Sequence, residues 1–136
     1  MDTTDYFKQY SDFVDYVTAE VSKNDDIYSE RFKYLSEKLN GQYSRMDNAV
    51  AGLAGEAGEV ADVWKKVKFH GLDFDEDTQQ LFIKELGDVC WYLCSVCIAL
   101  NIPLEQVINM NIEKLKKRHP NGFSSVYLDK YARKAE

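Results

Sequence analysis

Two long stretches, Asp47 to Phe69 and Asp75 to Leu100, carry apolar residues at intervals of three and four and contain no proline. That spacing is the period of an α-helix. Helices of such length must bury an apolar stripe against a neighbour, which confines the chain to layered helical packings. The flanking sequence agrees. Tyr6, Tyr10, Phe13, Val14, Val17 and Val21 mark a first amphipathic helix over Thr4 to Val21, broken by Lys23-Asn24-Asp25-Asp26. A shorter helix is predicted from Ser29 to Leu39, stopping at Asn40-Gly41. The first long helix ends at His70-Gly71, where Gly71 suits a left-handed cap. The second opens with acidic residues over its positive end. Asn101-Ile102-Pro103 separates it from a last helix that ends near Arg118, with Pro103 tolerated in the first turn and Pro120-Asn121-Gly122 closing it. No convincing strand remains, so the expected fold class is an all-α bundle.

Length and composition narrow the function. A chain of 136 residues fits one ordinary domain. Residues 1–47 read as an N-terminal helical segment packing on a core of residues 48–123, and 124–136 as a tail lying along the body or a partner subunit. The net charge of −6 argues against non-specific coating of nucleic acid. The acidic N-terminus has no apolar signal segment, and the apolar run Val89 to Leu100 is too short to span a bilayer. All three cysteines fall in that run, which is not a disulfide framework. A cytoplasmic protein, in a host cytoplasm if virus-encoded, with no membrane partner, is the expectation.

The most informative segment is Gly52-Leu53-Ala54-Gly55-Glu56-Ala57-Gly58-Glu59-Val60. Glu56 and Glu59, at i and i+3, project from one helical face. At about 100° per residue their stripe borders the apolar one of Leu53, Val60, Trp64 and Val67. Glu85 and Asp88 repeat the arrangement on the next long helix, beside Leu86, Val89, Leu93, Val96 and Leu100. Two antiparallel helices packed through these faces would bring four carboxylates together. Desolvation and like-charge repulsion make such a group costly without compensation. A hard divalent cation supplies it, and Mg²⁺ is the usual choice where phosphates complete the shell.

Three glycines inside the helix, Gly52, Gly55 and Gly58, cost about 1 kcal/mol each relative to alanine. Close helix approach or room for a ligand would recover that cost, and Gly52, one turn before Glu56, is expected to leave open space above the carboxylates. Asn111, Lys114 and Arg118 share a face of the last helix at i, i+3 and i+7, and could hold phosphate oxygens. Lys65, Lys66 and Lys68 could do likewise. Trp64, Trp91 and Tyr92 could stack on a base, though aromatic residues at helical spacing are core by default.

Other patterns carry less. Cys94-x-x-Cys97 lies in an apolar helix with no second pair and reads as core packing. Asp73-x-Asp75-x-Asp77 begins like a calcium loop, but Thr78 and Lys84 stand where glycine and glutamate are needed, so helix-capping acids are the better account. A di-iron bundle wants Glu-x-x-His, and Val67 and Lys116 precede His70 and His119 instead.

With Lys65-Lys66, Glu85-Leu86-Gly87-Asp88-Val89-Cys90-Trp91-Tyr92, Asn111-Ile112-Glu113-Lys114-Leu115 and Arg118-His119-Pro120-Asn121-Gly122-Phe123, the glycine-rich segment resembles the MazG-type all-α nucleoside triphosphate pyrophosphohydrolases over about residues 48–123. The family pattern E-x-x-E … E-x-x-D falls on Glu56, Glu59, Glu85 and Asp88. His119 stands where many relatives have tyrosine. The resemblance implies a four-helix-bundle-like core with an extra N-terminal helix that helps shape the base pocket. It implies Mg²⁺-dependent cleavage (Mn²⁺ as substitute) of a nucleoside triphosphate between its α and β phosphates, giving the monophosphate and pyrophosphate. Glu56, Glu59, Glu85 and Asp88 are then the catalytic and metal-binding residues. Lys66, Asn111, Lys114 and Arg118 hold phosphates, and Asn48, Trp64 and Tyr92 meet the base. A homodimer or homotetramer is implied, with the glycine-rich helix as a plausible contact and no nucleic-acid partner. The alternatives are a non-catalytic nucleotide- or metal-binding regulatory module, or a hydrolase of guanosine alarmones.

Overall fold

The computed structural model describes residues 3–123, and all regular elements among them are helical. In order they are α1 (Thr3–Val17), a 3₁₀ turn (Glu20–Ser22), α2 (Asp25–Lys38), α3 (Tyr43–Phe69), α4 (Glu76–Leu100) and α5 (Leu104–Arg118). The fold is all-α, as the periodicity requires. The chain divides into two compact units, Met1–Ser44 and Arg45–Glu136. The tail 124–136 lies outside the described residues.

In the first unit the helix boundaries differ from the sequence reading for local reasons. α1 stops at Val17, and Thr18 turns its hydroxyl back onto the Val14 carbonyl at 2.6 Å. Val21 therefore sits in the 3₁₀ turn. The segment read as a breaker is in fact a helix start. Asn24 caps α2, its side-chain oxygen accepting from the backbone N–H of Asp26 at 3.0 Å and of Ile27 at 3.1 Å. Lys23 ties the turn to α1 by donating to the Asp15 backbone carbonyl at 2.7 Å. After α2, Gly41 takes φ +78° and donates its N–H to the Ser36 carbonyl at 2.8 Å.

The second unit carries the candidate site. α3 ends as expected: Gly71 has φ +74°, and both His70 and Leu72 donate backbone N–H groups to the Lys66 carbonyl. Asp75 caps α4, accepting from the Thr78 N–H at 2.9 Å, and that bond holds its carboxyl below the usual range. Thr78, buried, donates its hydroxyl to the Asp73 carbonyl at 2.7 Å. Asp75 is thus the helix-capping acid, while Asp73 contributes its backbone carbonyl. Asn101 adopts the left-handed conformation, and α5 leaves α4 at 99°. Among the described residues no single helix is long and apolar enough to cross a membrane.

Among the described residues Ala49, Val63, Cys97 and Ala99 form the buried apolar set. Trp64, Phe74 and Phe82 make a cluster with ring centroids 6.3 to 6.5 Å apart. α4 corrects two expectations. Trp91 is not core: it is 73% exposed. Of the C-x-x-C pair only Cys97 is buried, while Cys94 is exposed together with Cys90. Cys90, Trp91, Cys94 and Ile98 fall at i, i+1, i+4 and i+8, on the side of α4 away from Val89 and Val96, so α4 is apolar on two faces. Cys90, Trp91, Cys94 and Ile98 line a groove of about 390 Å³ there.

Candidate active site

α3 and α4 each present their acidic pair on the flank of an apolar stripe, because i, i+3 spacing keeps both carboxylates on one face. One carboxylate oxygen from each of Glu56, Glu85 and Asp88 lies within 4.8 Å of the other two. Three of the four expected carboxylates thus form one close group drawn from both helices. Glu59 stands outside that close group, near enough for its charge to act on Glu56. Glu56 and Glu85 are half-buried and Asp88 is exposed. Partial burial pushes the Glu56 carboxyl above its ordinary value, and the charges of Asp88, Glu85 and Glu59 push it the same way.

The donor set fits a hard divalent ion. Oxygens around Mg²⁺ sit at about 2.1 Å from the metal and so roughly 3–4 Å from one another. Three carboxylate oxygens within 4.8 Å reach such a shell by small side-chain adjustments. Oxygen-only ligation suits Mg²⁺ or Mn²⁺ rather than the softer ions.

Above the carboxylates the sequence reading needs correcting. Gly52 does not leave open space. A Cβ built on it would lie 2.5 Å from Cδ1 of Tyr92 and nearer still to Cε1 and Cζ. The glycine lets the Tyr92 ring lie directly on the α3 backbone, one turn from Glu56. Gly55 and Gly58, by contrast, have nothing within 4 Å of where a Cβ would stand.

The remaining candidates are distributed as follows. Lys66 sits at i+7 from Glu59, and its ammonium feels the charges of Glu59 and Glu85. Asn111, Lys114 and Arg118 are all on α5, the first two exposed and Arg118 half-buried. Asn48 is exposed near the start of α3. Trp64 is half-exposed in the aromatic cluster, beside an open pocket of about 390 Å³ lined also by Phe74, Gln79, Phe82 and Ile83. The helical register sets Trp64 and Lys66 on opposite sides of the α3 seam, so the structure does not gather them into one group.

One residue the acidic pattern passed over is Asp62. It continues the Glu56–Glu59 stripe by one more turn, yet both its oxygens are taken by cations. Oδ1 pairs with the Lys65 ammonium, and Oδ2 with the Lys66 ammonium at 2.7 Å. Hydrogen bonds from Lys65 and then Lys66 hold its carboxyl down at about 2. The sequence signal for this is the acid–base spacing at i+3 and i+4, which pairs both lysines with Asp62.

Comparison with known proteins supports the same region. The profile of the MazG nucleotide pyrophosphohydrolase domain matches residues 45–123, which contains all four carboxylates. The chain is also similar to the "Gene 37 protein" of Mycobacterium phage L5, 38% identical over 73 residues. That similarity covers 52% of this chain, and the chain spans 63% of the relative's length. No solved structure matches. With the profile spanning more than half of the sequence and the paired acids converging inside it, the chain belongs to the MazG nucleotide pyrophosphohydrolase domain family.

Proposed function

We propose that this protein is a Mg²⁺-dependent nucleoside triphosphate pyrophosphohydrolase, cleaving ribo- or deoxyribonucleoside triphosphates to the monophosphate and pyrophosphate. The observation that carries the reading is the convergence of Glu56, Glu85 and Asp88 from two helices within one family domain. Carboxylates this close repel one another, and a bound divalent ion offsets that repulsion. They make sense as the ligand set for a divalent ion.

Glu56, Glu85 and Asp88 would hold the ion, with Glu59 alongside. When bound, the metal supplies charge neutralisation of the phosphates and Lewis-acid polarisation of the scissile anhydride. The chain's own groups do the rest. Glu56, whose partial burial raises its proton affinity, orients the attacking water and accepts its proton. The water oxygen forms the new P–O bond, the α–β anhydride bond breaks, and pyrophosphate leaves with the electron pair. Lys66 meets the phosphates from α3, and Asn111, Lys114 and Arg118 supply further donors from α5. Asn48, Trp64 and Tyr92 are the residues offered to the base.

The reading includes a homodimer or homotetramer in the reducing cytoplasm where the substrate is found. Its physical support is the exposed second face of α4, since a helix apolar on opposite sides is normally covered on both.

The test is pyrophosphate release from a panel of ribo- and deoxyribonucleoside triphosphates, with a guanosine alarmone included. Wild type and Glu59→Gln are compared with Mg²⁺ and after chelation. Turnover of at least one triphosphate by wild type, lost on chelation and cut by the substitution, is expected. Nucleotide binding with no turnover would point instead to a regulatory module, and turnover of the alarmone alone would move the substrate class.

A further inference from the structure

Asp62 lies beyond the four-carboxylate pattern, and its surroundings distinguish it from a fifth metal ligand. A ligand carboxylate presents free oxygens to the ion. Asp62 presents none, because Lys65 and Lys66 each occupy one of its oxygens.

The two lysines differ in where they stand. Lys66 is at i+4 from Asp62 and i+7 from Glu59, so it shares the stripe that runs along the carboxylates. Lys65 is one residue earlier, rotated about 100° away from that stripe. Asp62 is thus pinned from the outer side by Lys65 and turns its second oxygen to the cation nearer the site. Asp62 is the less exposed partner, at 28% against 52% for each lysine. A lysine ammonium on a flexible four-carbon stem is a poorly placed charge unless something holds it. The negative charges of Glu59 and Glu85 act on the same ammonium, which stays about half in solvent.

We infer that Asp62 is a positioning residue that holds the Lys66 ammonium beside the carboxylate group, where it receives the phosphate chain of the substrate. The inference rests on the pyrophosphohydrolase reading for its substrate, and adds to it a residue that touches neither metal nor nucleotide. A lysine ammonium has three N–H donors, so Lys66 keeps its bond to Asp62 while donating to a phosphate oxygen, and Lys65 keeps the other Asp62 oxygen paired.

The experiment compares wild type, Asp62→Asn, Asp62→Glu, Lys66→Met and the Asp62→Asn/Lys66→Met double variant. Three readouts are taken: kcat and KM for the best triphosphate, calorimetric binding of Mg²⁺–pyrophosphate, and Mn²⁺ affinity. Asp62→Asn is expected to raise KM and weaken pyrophosphate binding about five- to tenfold, with kcat changed less than about twofold. Asp62→Glu recovers most of that loss. On the Lys66→Met background Asp62→Asn adds less than about a twofold effect, because the two act through one contact. Mn²⁺ affinity stays within about threefold throughout, whereas a metal ligand would lose far more.

Full additivity of the two substitutions, or a tenfold loss of Mn²⁺ affinity in Asp62→Asn that persists in the double variant, overturns the inference. Unchanged pyrophosphate binding in Asp62→Asn overturns it as well, with the turnover of wild type left standing. Wild type that binds Mg²⁺–pyrophosphate without turning over any triphosphate sinks the enzymatic reading, while the positioning role is still decided by the binding arm. Wild type that binds no pyrophosphate removes both.

Discussion

The ring of Tyr92 lies where a side chain at Gly52 would have to be: a Cβ there would meet Cδ1 at 2.5 Å. This contact joins α3 to α4 one turn from Glu56. It fixes the separation of the two helices at the level of the carboxylates, and so helps fix how closely the acids of one helix approach those of the other.

Gly52→Ala forces the Tyr92 ring off the α3 backbone. Overpacking of this kind costs about 1–3 kcal/mol, more than the gain of about 1 kcal/mol from replacing a mid-helix glycine. Gly55→Ala meets open space, so only the gain remains. Urea unfolding is expected to show Gly52→Ala less stable than wild type and Gly55→Ala more stable by about 1 kcal/mol. Equal effects of the two would remove the Gly52–Tyr92 contact from the account.

Metal affinity separates the four carboxylates. Glu56, Glu85 and Asp88 form the close group and Glu59 stands outside it. Calorimetry with Mn²⁺ is expected to show Glu85→Gln and Asp88→Asn weakened about tenfold or more, and Glu59→Gln weakened less, in line with the loss of one charged ligand. Glu59→Gln as the most damaging of the set would mean that the ion sits nearer α3 than the free carboxylates show.

Glu56 sets a pH dependence whose sign follows from its shift. Its carboxyl is held above the ordinary value of 4.5, by partial burial first and by Asp88, Glu85 and Glu59 after that. Between the ordinary and the raised value the folded chain binds more protons than the unfolded one. Stability therefore falls as pH rises through that window, and the deficit persists above it. In metal-free buffer, Glu56→Gln is expected to melt above wild type at pH 7, with the two converging as the pH approaches 4. Added Mg²⁺ raises wild type more than the variant. A Glu56→Gln chain that melts below wild type in chelator at pH 7 would show the carboxylate to be stabilising there.

Trp91 tests the assembly. At 73% exposure on an apolar groove, it has little to lose in a single chain and much to gain in an interface. Light scattering after size exclusion is expected to give a dimer or tetramer for wild type and a smaller species for Trp91→Glu, with α-helical circular dichroism unchanged. An unaltered assembly in Trp91→Glu would place the contact elsewhere.

The sequence by itself determined the fold class, because apolar residues at three- and four-residue intervals over such lengths admit only helices. Gly71 and Asp75 marked their helix ends, since left-handed caps and capping carboxylates depend on residue type and local position. The identity of the four acids was also local, fixed by i, i+3 spacing on each helix. What only the tertiary structure decided is which groups meet across helices. Helical periodicity gives the direction of a side chain but not its neighbour on another element. So Gly52 read as open space until the Tyr92 ring proved to fill it, and Trp91 read as core until α4 proved apolar on two sides. Asp62 and Lys66 share one helix, and even there a spacing rule named the pair as possible. The three-dimensional arrangement was needed to show both oxygens of Asp62 engaged, one by each lysine.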